Sequence, residues 1–255
     1  MSAPVRARKI IGMSQPIRLL PLAADDGATN MSADEALLES AVGGAASLRF
    51  YTWSEPTLSL GYFQRAEERA GALAGLPWVR RATGGAAIVH HHELTYALAL
   101  PPGGAWASRE HWICRAHHIV QRVLRAYGVE SHAVICGEEQ KLGEVVCFLH
   151  QTPGDLLIGG SKVAGSAQRK MRGALLQHGS ILLHRSEFAP SLPGICDAPG
   201  APEIAAEELA RKLTEEFAAD TGWDVTPGDW TAVERERTAA VRAEKYANPV
   251  WNEKR

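Results

Sequence analysis

The residues of this sequence best suited to covalent chemistry are a cysteine and a lysine, Cys147 and Lys162, which lie fifteen positions apart. The thiolate is the reactive form of cysteine, and a neighbouring ammonium favours it by lowering the pKa of the thiol. If the chain folds back between the two positions, they form an activated nucleophile. The alternative is that Cys147, flanked by Val146 and Phe148, is a small buried hydrophobe, which is the commoner role for a cysteine in such a setting.

The segment between Cys147 and Lys162 predicts such a fold-back. Residues 155–158, Asp-Leu-Leu-Ile, are typical of a short strand, and Gly159-Gly160 is a two-residue hairpin signal. Residues 161–164 would then run antiparallel to that strand. Residues 164–167 are Ala-Gly-Ser-Ala, and a strand of such small residues lets a ligand or a second backbone approach closely.

A second candidate site lies at residues 80–87, Arg-Arg-Ala-Thr-Gly-Gly-Ala-Ala, where two cations at the end of a predicted strand precede a glycine bend. Glycines expose backbone N–H groups that can hold a carbonyl or phosphate oxygen, and the arginines supply positive charge. On this segment alone, the better interpretation is a glycine turn flanked by solvated arginines.

Three consecutive histidines, residues 90–92, resemble a metal-binding tract. Successive residues of a strand point to opposite faces, so these three cannot converge on one ion. One active-site histidine, with the other two at the surface or in packing, is the better interpretation. Cys114, His117 and His118 lie on a predicted helix without a complementary cluster elsewhere, so the sequence predicts no metal site.

Composition argues against several classes of function. The chain has 255 residues, of which 45% are hydrophobic and 22% charged, and its net charge of -2 gives no reason to expect nucleic acid or a membrane as partner. Residues 1–15 are basic but too interrupted in hydrophobicity for a signal peptide, and we expect a flexible arm. The four cysteines lack CxxC spacing, which favours free thiols in the cytoplasm.

The order of predicted elements indicates an α+β fold. Strands and helices are mixed without a regular βαβ alternation, which favours a largely antiparallel sheet. We expect one domain over residues 16–255, with a helical tail over residues 203–255 whose part after Trp230 is a charged surface helix. Predicted strands cover residues 17–20, 48–53, 57–60, 78–81, 86–90, 93–100, 131–135, 155–158, 161–167, 174–177 and 180–183. Predicted helices begin at a Ser32–Glu35 capping box, at Ser108 and at Ile204.

Five segments in colinear order resemble the biotin/lipoate protein ligase superfamily, and within it the LipM-type octanoyltransferases most closely. Each segment is weakly specific by itself, whereas five in order, covering all but about the first fifteen residues, are strongly specific. The resemblance implies a single catalytic domain with a curved, largely antiparallel mixed sheet and packed helices. The segments are NMSADEALLE (30–39), LRFYTWSEPTLSLGYFQ (48–64), RRATGGAAIVHHHELTYAL (80–98), VCFLHQTPGDLLIGGSKVAGSAQRKMRGALLQHGSILL (146–183) and the ending KYANPVWNEKR.

The resemblance also implies roles for particular residues. Cys147 falls on the cysteine that carries the acyl group in the octanoyltransferase branch, and Lys162 falls on the family's KVxGSAQ lysine, which contacts the acyl carbonyl. The chain departs from the family pattern at Ala86, where glycine or arginine is common, and at His90-His91, where a His-Asp pair is frequent. The substrate-binding residues that follow from the resemblance are Arg81, Thr83, Gly84, Gly85, Ala86, His90, Gly165, Ser166 and Ala167.

Together, the resemblance and the Cys147–Lys162 pair predict an enzyme that moves an octanoyl group from acyl carrier protein to a lysine of a lipoyl domain. The acceptor would be a glycine-cleavage H protein or a dehydrogenase E2 domain. Lys162 and backbone N–H groups near Gly165 would stabilise the oxyanion. Thioester exchange followed by aminolysis requires no ATP, so we expect no cofactor. We also expect a monomer.

Other functions fit parts of the pattern. A lipoate-protein ligase that uses ATP and magnesium would employ the same glycine loop and Lys162. It has no need of Cys147, however, and the residues after Leu183 are too few for the accessory domain that many ligases carry. An amidotransferase that moves octanoyl or lipoyl groups between carrier proteins is the third interpretation. A domain that binds a lipoyl carrier without modifying it is the least expected, because both Cys147 and Lys162 are present.

Overall fold

The computed structural model describes residues 15–69, 71–141 and 150–255. The strands in these ranges are β1 Pro16–Leu19, β2 Ala23–Asp25, β3 Ser47–Trp53, β4 Thr57–Leu60, β5 Trp78–Arg80, β6 Ile88–His90, β7 Glu93–Leu100, β8 His132–Ala133, β9 Gln140–Lys141, β10 His150–Gln151, β11 Leu156–Ile158, β12 Ser161–Met171, β13 Ala174–Leu182 and β14 Asp224–Pro227. The helices are α1 Gly27–Val42, α2 Trp112–Ala126, α3 Ala206–Thr221, α4 Ala232–Val241 and α5 Pro249–Asn252, and a π-helical turn, Arg242–Tyr246, lies between the last two. Short 3₁₀ turns cover Ala66–Glu68, Gly71–Leu73, Gly104–Trp106 and Ile195–Asp197.

A nine-stranded mixed sheet is the centre of the fold, with strand order β14-β1-β3-β7-β13-β12-β11-β8 and with β2 beside β3. The strands β3, β7, β13, β12, β11 and β8, which are neighbours in this order, pair antiparallel. Strand β1 runs parallel to both β3 and β14, and β2 runs parallel to β3. A smaller sheet, β5-β4-β6, lies at its side. The predicted α+β class with a largely antiparallel sheet is therefore confirmed. None of the helices in the described ranges combines the length and the apolar character needed to cross a bilayer.

Strand β7 shows how the sequence divides the core between the two faces of the large sheet. Tyr96, Leu98 and Leu100 belong to the cluster that packs against α2 and α3, and the intervening Ala97 and Ala99 belong to the cluster beneath α1. This alternation follows from the two-residue period of a strand. The alanines let α1 lie close to its face, while the larger side chains fill the space under the other two helices.

The structure corrects the predicted beginnings of the first two helices. Helix α1 begins five residues before the predicted capping box, at Gly27, because the Asp26 carboxylate accepts a hydrogen bond from the Thr29 N–H at 2.7 Å and caps the helix there. Ser32 is instead a buried residue inside the helix, and its hydroxyl bonds the Ala28 carbonyl. Helix α2 begins at Trp112 rather than after Ser108.

The strand segments predicted at residues 174–177 and 180–183 form one continuous strand, β13, which pairs with β12 from Ala174 to Ile181. The predicted break at residues 178–179 is wrong because Gly179 is not a turn residue. A Cβ atom there would lie 2.2 Å from Ser166 Oγ and 2.7 Å from Tyr96 Cε1. The glycine therefore provides room for two neighbouring side chains within a continuous sheet.

The segment after Trp230 was expected to be a charged surface helix; it is helical and largely exposed, but one side of it is buried. It forms α4, the π-helical turn and α5, which pack against α1, with Val241 and Tyr246 buried. Glu234 of α4 is buried as well, and its carboxylate accepts hydrogen bonds from Arg18 Nη2 at 2.6 Å and Nη1 at 3.0 Å and from the Ser40 hydroxyl at 2.8 Å. Burial acts to raise the pKa of Glu234, but these donors outweigh it and lower the pKa to about 2.

Replacement of Glu234 by alanine should destabilise the whole domain by about 3 kcal/mol, because it leaves the Arg18 guanidinium without its charged partner. Chemical denaturation followed by circular dichroism measures this change at neutral pH. The matched control is Glu236→Ala on the same helix, where the side chain is exposed and the change should stay within about 0.5 kcal/mol. Equal changes in the free energy of unfolding for the two substitutions would contradict the packing of α4 against the rest of the domain.

Candidate active site

The hairpin between β11 and β12 holds Lys162 in a buried ion pair. Gly159 and Gly160 have φ values of +56° and +82°, the left-handed conformation that the predicted two-residue turn requires. Lys162 Nζ lies 2.7 Å from Asp155 Oδ2, and both side chains are only 3% exposed. The same oxygen accepts hydrogen bonds from the Thr152 N–H at 2.7 Å and hydroxyl at 2.9 Å, so the carboxylate is well compensated for its burial.

Lys162 lies across the face of Gly165, one of the predicted substrate-binding residues. A Cβ atom on Gly165 would be 2.4 Å from Lys162 Cε and 2.8 Å from Lys162 Nζ. The absence of a side chain at this position is therefore what allows the lysine to follow its path to Asp155. Residues 164–167 do lie in a strand, β12, but the group that approaches Gly165 is a lysine side chain of the same strand, whereas the sequence predicted a ligand or a second backbone.

The glycine loop takes its shape from Arg81, whose guanidinium turns inward. Arg81 Nη2 donates to the Ala86 carbonyl at 2.6 Å and to the Gly84 carbonyl at 2.9 Å, and Nη1 donates to the Ser59 carbonyl at 2.9 Å. The loop also lies in close contact with Gly61, since a Cβ atom on that residue would lie 1.8 Å from the Gly85 carbonyl oxygen. Arg81 is only 6% exposed, and its hydrogen bonds hold the loop in this conformation. The segment alone had suggested a solvated arginine.

His90 belongs to a buried cluster beside the same loop. Its ring stacks on Trp53 with centroids 3.7 Å apart, Nδ1 lies 2.7 Å from Glu93 Oε1, and Nε2 lies 2.7 Å from the Ser59 hydroxyl. Burial lowers the pKa of His90, and the neighbouring Glu93 acts in the opposite direction. The remaining histidines of the tract, His91 and His92, stack on each other away from this cluster.

A further buried cluster supports the loop from α1, and the sequence analysis did not identify it. Asp34 accepts hydrogen bonds from the Tyr51 hydroxyl and from His178 Nδ1, each at 2.9 Å. His178 Nε2 lies 2.8 Å from the hydroxyl of Thr83, the predicted loop residue. Asp34 also forms a 3.0 Å ion pair with the buried Arg49. The position of Thr83 thus depends on a carboxylate nearly fifty residues earlier in the chain.

His117 is a second residue that the sequence analysis assigned no role. Its Nδ1–H donates to the carbonyl of Gly154, the residue before Asp155, and its Nε2 lies 2.6 Å from the Ser166 hydroxyl. Burial lowers the pKa of His117, although the Gly154 carbonyl and Asp155 act in the opposite direction. The neutral ring therefore donates at one nitrogen and accepts at the other. The available signal in the sequence was a histidine on the apolar face of α2, between Trp112 and Val120.

Hydrogen bonds continue from this histidine across the sheet in one direction. The Ser166 hydroxyl donates to His117 Nε2 and accepts from the Tyr96 hydroxyl at 2.6 Å, and Tyr96 in turn accepts from Gln177 Nε2 at 2.6 Å. Each hydroxyl in this chain donates once and accepts once. The chain of bonds fixes Ser166 on one face of β12 while Gly165 and Lys162 occupy the other side of the site.

These groups surround one cavity. Most of the predicted substrate-binding residues line it, namely Arg81, Gly84, Gly85, Ala86, His90, Gly165, Ser166 and Ala167. Thr83 lies behind the wall through its bond to His178, and Lys162 reaches the wall over Gly165. Lining residues that the sequence analysis missed include Met31, Tyr51, Ser59, Thr95 and Ser180. Cys147 lies outside the described residues.

A metal site was not expected, and the described residues contain one cluster of suitable groups. His184, Cys196 and Glu203 have potential ligand atoms within 4.8 Å of one another. These residues belong to the strand end and loop after β13 and do not line the cavity. Small residues line the cavity, and the Lys162 ammonium lies beside Gly165 in its wall, an arrangement suited to binding a carbonyl oxygen that gains negative charge.

Comparison with known proteins places these observations in a family. Residues 26–189 match the family described as lipoyl protein ligase A/B catalytic domain. A curated relative named octanoyltransferase LipM, from Kyrpidia tusciae, is 34% identical over 93% of this chain and 98% of its own length. Another of the same name, from Carboxydothermus hydrogenoformans, is 39% identical over 62% of this chain and 61% of its own length.

Solved structures of lower identity share the fold. A putative lipoate protein ligase from T. acidophilum, with bound lipoic acid, superposes with a TM-score of 0.72 and 23% identity, covering 95% of this chain and all of that one (100%). A lipoate-protein ligase A bound with ATP gives a TM-score of 0.74 and 22% identity, covering 94% of this chain and 99% of its own. The likeness at this level of identity concerns the arrangement of the backbone.

Substitution of Gly165 by alanine should displace the Lys162 ammonium from Asp155, because the new methyl group would occupy the path of the lysine side chain. We expect a loss of about 1–2 kcal/mol in the free energy of unfolding and a clear increase in acetylation of Lys162 by acetic anhydride, measured by peptide mass spectrometry. Gly104→Ala is the matched control, since open space surrounds that position. Unchanged protection of Lys162 in the Gly165 variant would contradict the geometry described above.

The lowered pKa of His117 should make the protein less stable in mild acid. Below the unfolded-state pKa of 6.5 the unfolded chain binds a proton that the folded chain does not bind, so stability falls as pH falls. Between pH 7 and pH 5 the free energy of unfolding should therefore fall, and His117→Asn should lose that part of the pH dependence. Denaturation at several pH values measures the slope. The exposed His111→Asn serves as control, and an identical slope in both variants would contradict the assignment.

Proposed function

The chain belongs to the lipoyl protein ligase A/B catalytic domain family, and on that premise we propose that it is an octanoyltransferase of protein lipoylation. The reaction moves an octanoyl group from acyl carrier protein to a lysine of a lipoyl domain. Support for this acyl group comes from relatives that bear the name octanoyltransferase and align over nearly the whole chain.

The observation that carries the proposal is the position of Lys162. Its ammonium is fixed by Asp155, lies over Gly165 and reaches the wall of the cavity. A donor held there by a buried carboxylate needs little reorganisation when an acyl carbonyl becomes an oxyanion. The lysine occupies the space at Gly165, and the cavity next to it, lined by Ala167, Gly84 and Gly85, offers room for the reacting carbonyl and its chain.

We assign the nucleophile to Cys147, as the family resemblance implies. Its thiolate attacks the carbonyl carbon of the octanoyl thioester, and the tetrahedral intermediate collapses with loss of the carrier thiolate, which takes up a proton. The neutral amine of the lipoyl-domain lysine then attacks the new thioester, the thiolate of Cys147 leaves, and the amine loses a proton. The product is an amide, and Lys162 stabilises the oxyanion in both halves of the reaction.

The energetics of this route determine what else the enzyme requires. Exchange between two thioesters is nearly isoenergetic and aminolysis of a thioester is favourable, so the proposal includes neither ATP nor a metal. The acceptor would be the lipoyl domain of a glycine-cleavage H protein or of a dehydrogenase E2 subunit. We propose that the enzyme acts as a monomer in the cytoplasm.

Incubation with octanoyl acyl carrier protein in the absence of ATP should add one octanoyl group to the protein, visible by intact mass spectrometry. Cys147→Ala should abolish the adduct, because no other thiol is proposed to face the cavity. Cys114→Ala, Cys136→Ala and Cys196→Ala are the controls, and each of them should retain it.

The opposite result is equally clear. Absence of an adduct in the unmodified protein, together with ATP-dependent attachment of free lipoate to a lipoyl domain, would reject the transferase in favour of a ligase. An adduct that persists in Cys147→Ala and disappears in another cysteine variant would keep the transferase and reject this nucleophile.

A further inference from the structure

A second cleft, of about 370 Å³, opens beside the cavity and shares Gly84 with it. One wall is the glycine loop with Ala82 and Thr83, and the other is formed by Arg169 of β12 together with Lys245 and Trp251 of the tail. Tyr62 and Phe63 stand at its edge, and Phe63 is 71% exposed. The catalytic cavity therefore continues into a space to which the last residues of the chain contribute.

Two cations, Arg169 and Lys245, line this second cleft, and two more, Lys254 and Arg255, lie against the aromatic side chains that line it. Lys254 Nζ lies 3.3 Å from the centre of the Trp251 ring and 3.6 Å from that of Tyr62, and the Arg255 guanidinium lies 5.3 Å from the same tyrosine ring. Lys245 is paired with Glu35. Within the described ranges, Arg169, Lys254 and Arg255 form no ion pair with a carboxylate.

The effect of this crowding is visible at Lys254. Burial and the positive charges of Arg80, Lys245, Arg255 and Arg169 lower its pKa to about 8. Repulsion between cations this close together destabilises the folded protein unless an anion binds among them. The arrangement of a cationic cleft with aromatic walls is suited to a phosphate group at the end of an organic chain.

The spacing along β12 indicates which phosphate fits. Every second residue of a strand lies on the same face, so one face of β12 carries Gly165, Ala167 and Arg169. Lys162 Nζ lies over the first of these, Gly165. At about 3.3 Å per residue, the four-residue step from Gly165 to Arg169 spans roughly 13 Å. The distance from the reacting carbonyl to the cationic cleft is therefore of this order.

Two acyl donors differ sharply in this distance. In an acyl adenylate the phosphate is bonded directly to the acyl carboxyl, within about 3 Å of its carbon. In a carrier-protein thioester, about thirteen bonds separate the sulfur from the phosphate, which is roughly 15 Å when extended at the advance per bond of a polypeptide backbone. The separation between Lys162 and the cleft matches the second donor.

We propose that Arg169, Lys245 and Lys254 bind the phosphate that joins the acyl-pantetheine arm to its carrier protein. This inference rests on the proposed octanoyltransferase function and adds to it a site for the donor. The arm would run along Gly165 and Ala167, pass Gly84, and present its phosphate to the cations, with the carrier protein outside near the exposed Phe63.

The test uses two synthetic donors, octanoyl-pantetheine and octanoyl-4′-phosphopantetheine, which differ only in the phosphate. We expect the intact enzyme to have a higher kcat/KM for octanoyl-4′-phosphopantetheine than for octanoyl-pantetheine. The ratio of the first kcat/KM to the second should fall about tenfold in Lys254→Gln. Arg169→Gln should lower the same ratio from the opposite wall, so the test does not depend on one variant. Lys170→Gln is the control, because Lys170 is exposed and adjacent in the same strand on the other face.

Each other result has a distinct meaning. If both donors transfer octanoyl equally well, or if Lys254→Gln and Arg169→Gln leave the ratio unchanged, the cleft assignment is overturned while the transferase stands. If ATP binds tightly, Lys254→Gln weakens that binding, and the donor ratio is unaffected, the cleft belongs to a nucleotide and the assignment is overturned. If octanoyl acyl carrier protein transfers its acyl group but neither synthetic donor does, the assignment is overturned while the transferase stands; if none of the three transfers it, both the assignment and the proposed function fail.

Discussion

The constraint on which the site depends is the burial of one positive charge. A lysine ammonium that is withdrawn from water is stable only beside a compensated carboxylate, and Asp155 provides it. The hairpin, the Thr152 bonds to that carboxylate and the missing side chain at Gly165 all serve this pairing. His117 secures the same turn from α2 through the Gly154 carbonyl. The Lys162 ammonium is thus held in place by the hairpin, by the Thr152–Asp155 turn and by α2.

The opposite wall of the cavity follows a different physical rule. There the charged group, Arg81, lines the cavity but donates its N–H groups to the carbonyls of Gly84, Ala86 and Ser59, which gives the glycine loop a defined shape. The buried clusters of Asp34 with His178 and of Glu93 with His90 support the loop from the large sheet. Polar interactions therefore define the shape of the site, while the apolar clusters on the two faces of the sheet hold the layers together.

Local pattern was sufficient to predict part of this arrangement. The paired glycines at 159–160 predicted the hairpin, and the mixture of strands and helices without a regular βαβ alternation predicted the class of fold. Partners separated in sequence were not predictable, because nothing near His117 indicates Ser166, and nothing near Asp34 indicates His178. The strand break predicted at residues 178–179 was wrong because a glycine such as Gly179 can either end a strand or make room for a neighbouring side chain. Only the packing of Tyr96 and Ser166 against it decides between these two roles.

The bonds around Arg80 tie the residue next to the glycine loop to the helical tail. Its backbone N–H donates to the Asn252 side chain, its Nε donates to the Asn252 carbonyl, and the Trp251 indole donates to its carbonyl at 2.7 Å. A chain cut before residue 251 would leave this buried N–H and Nε without these acceptors. Such a truncated product should therefore lack an ordered site and be open to proteolysis rather than partly active.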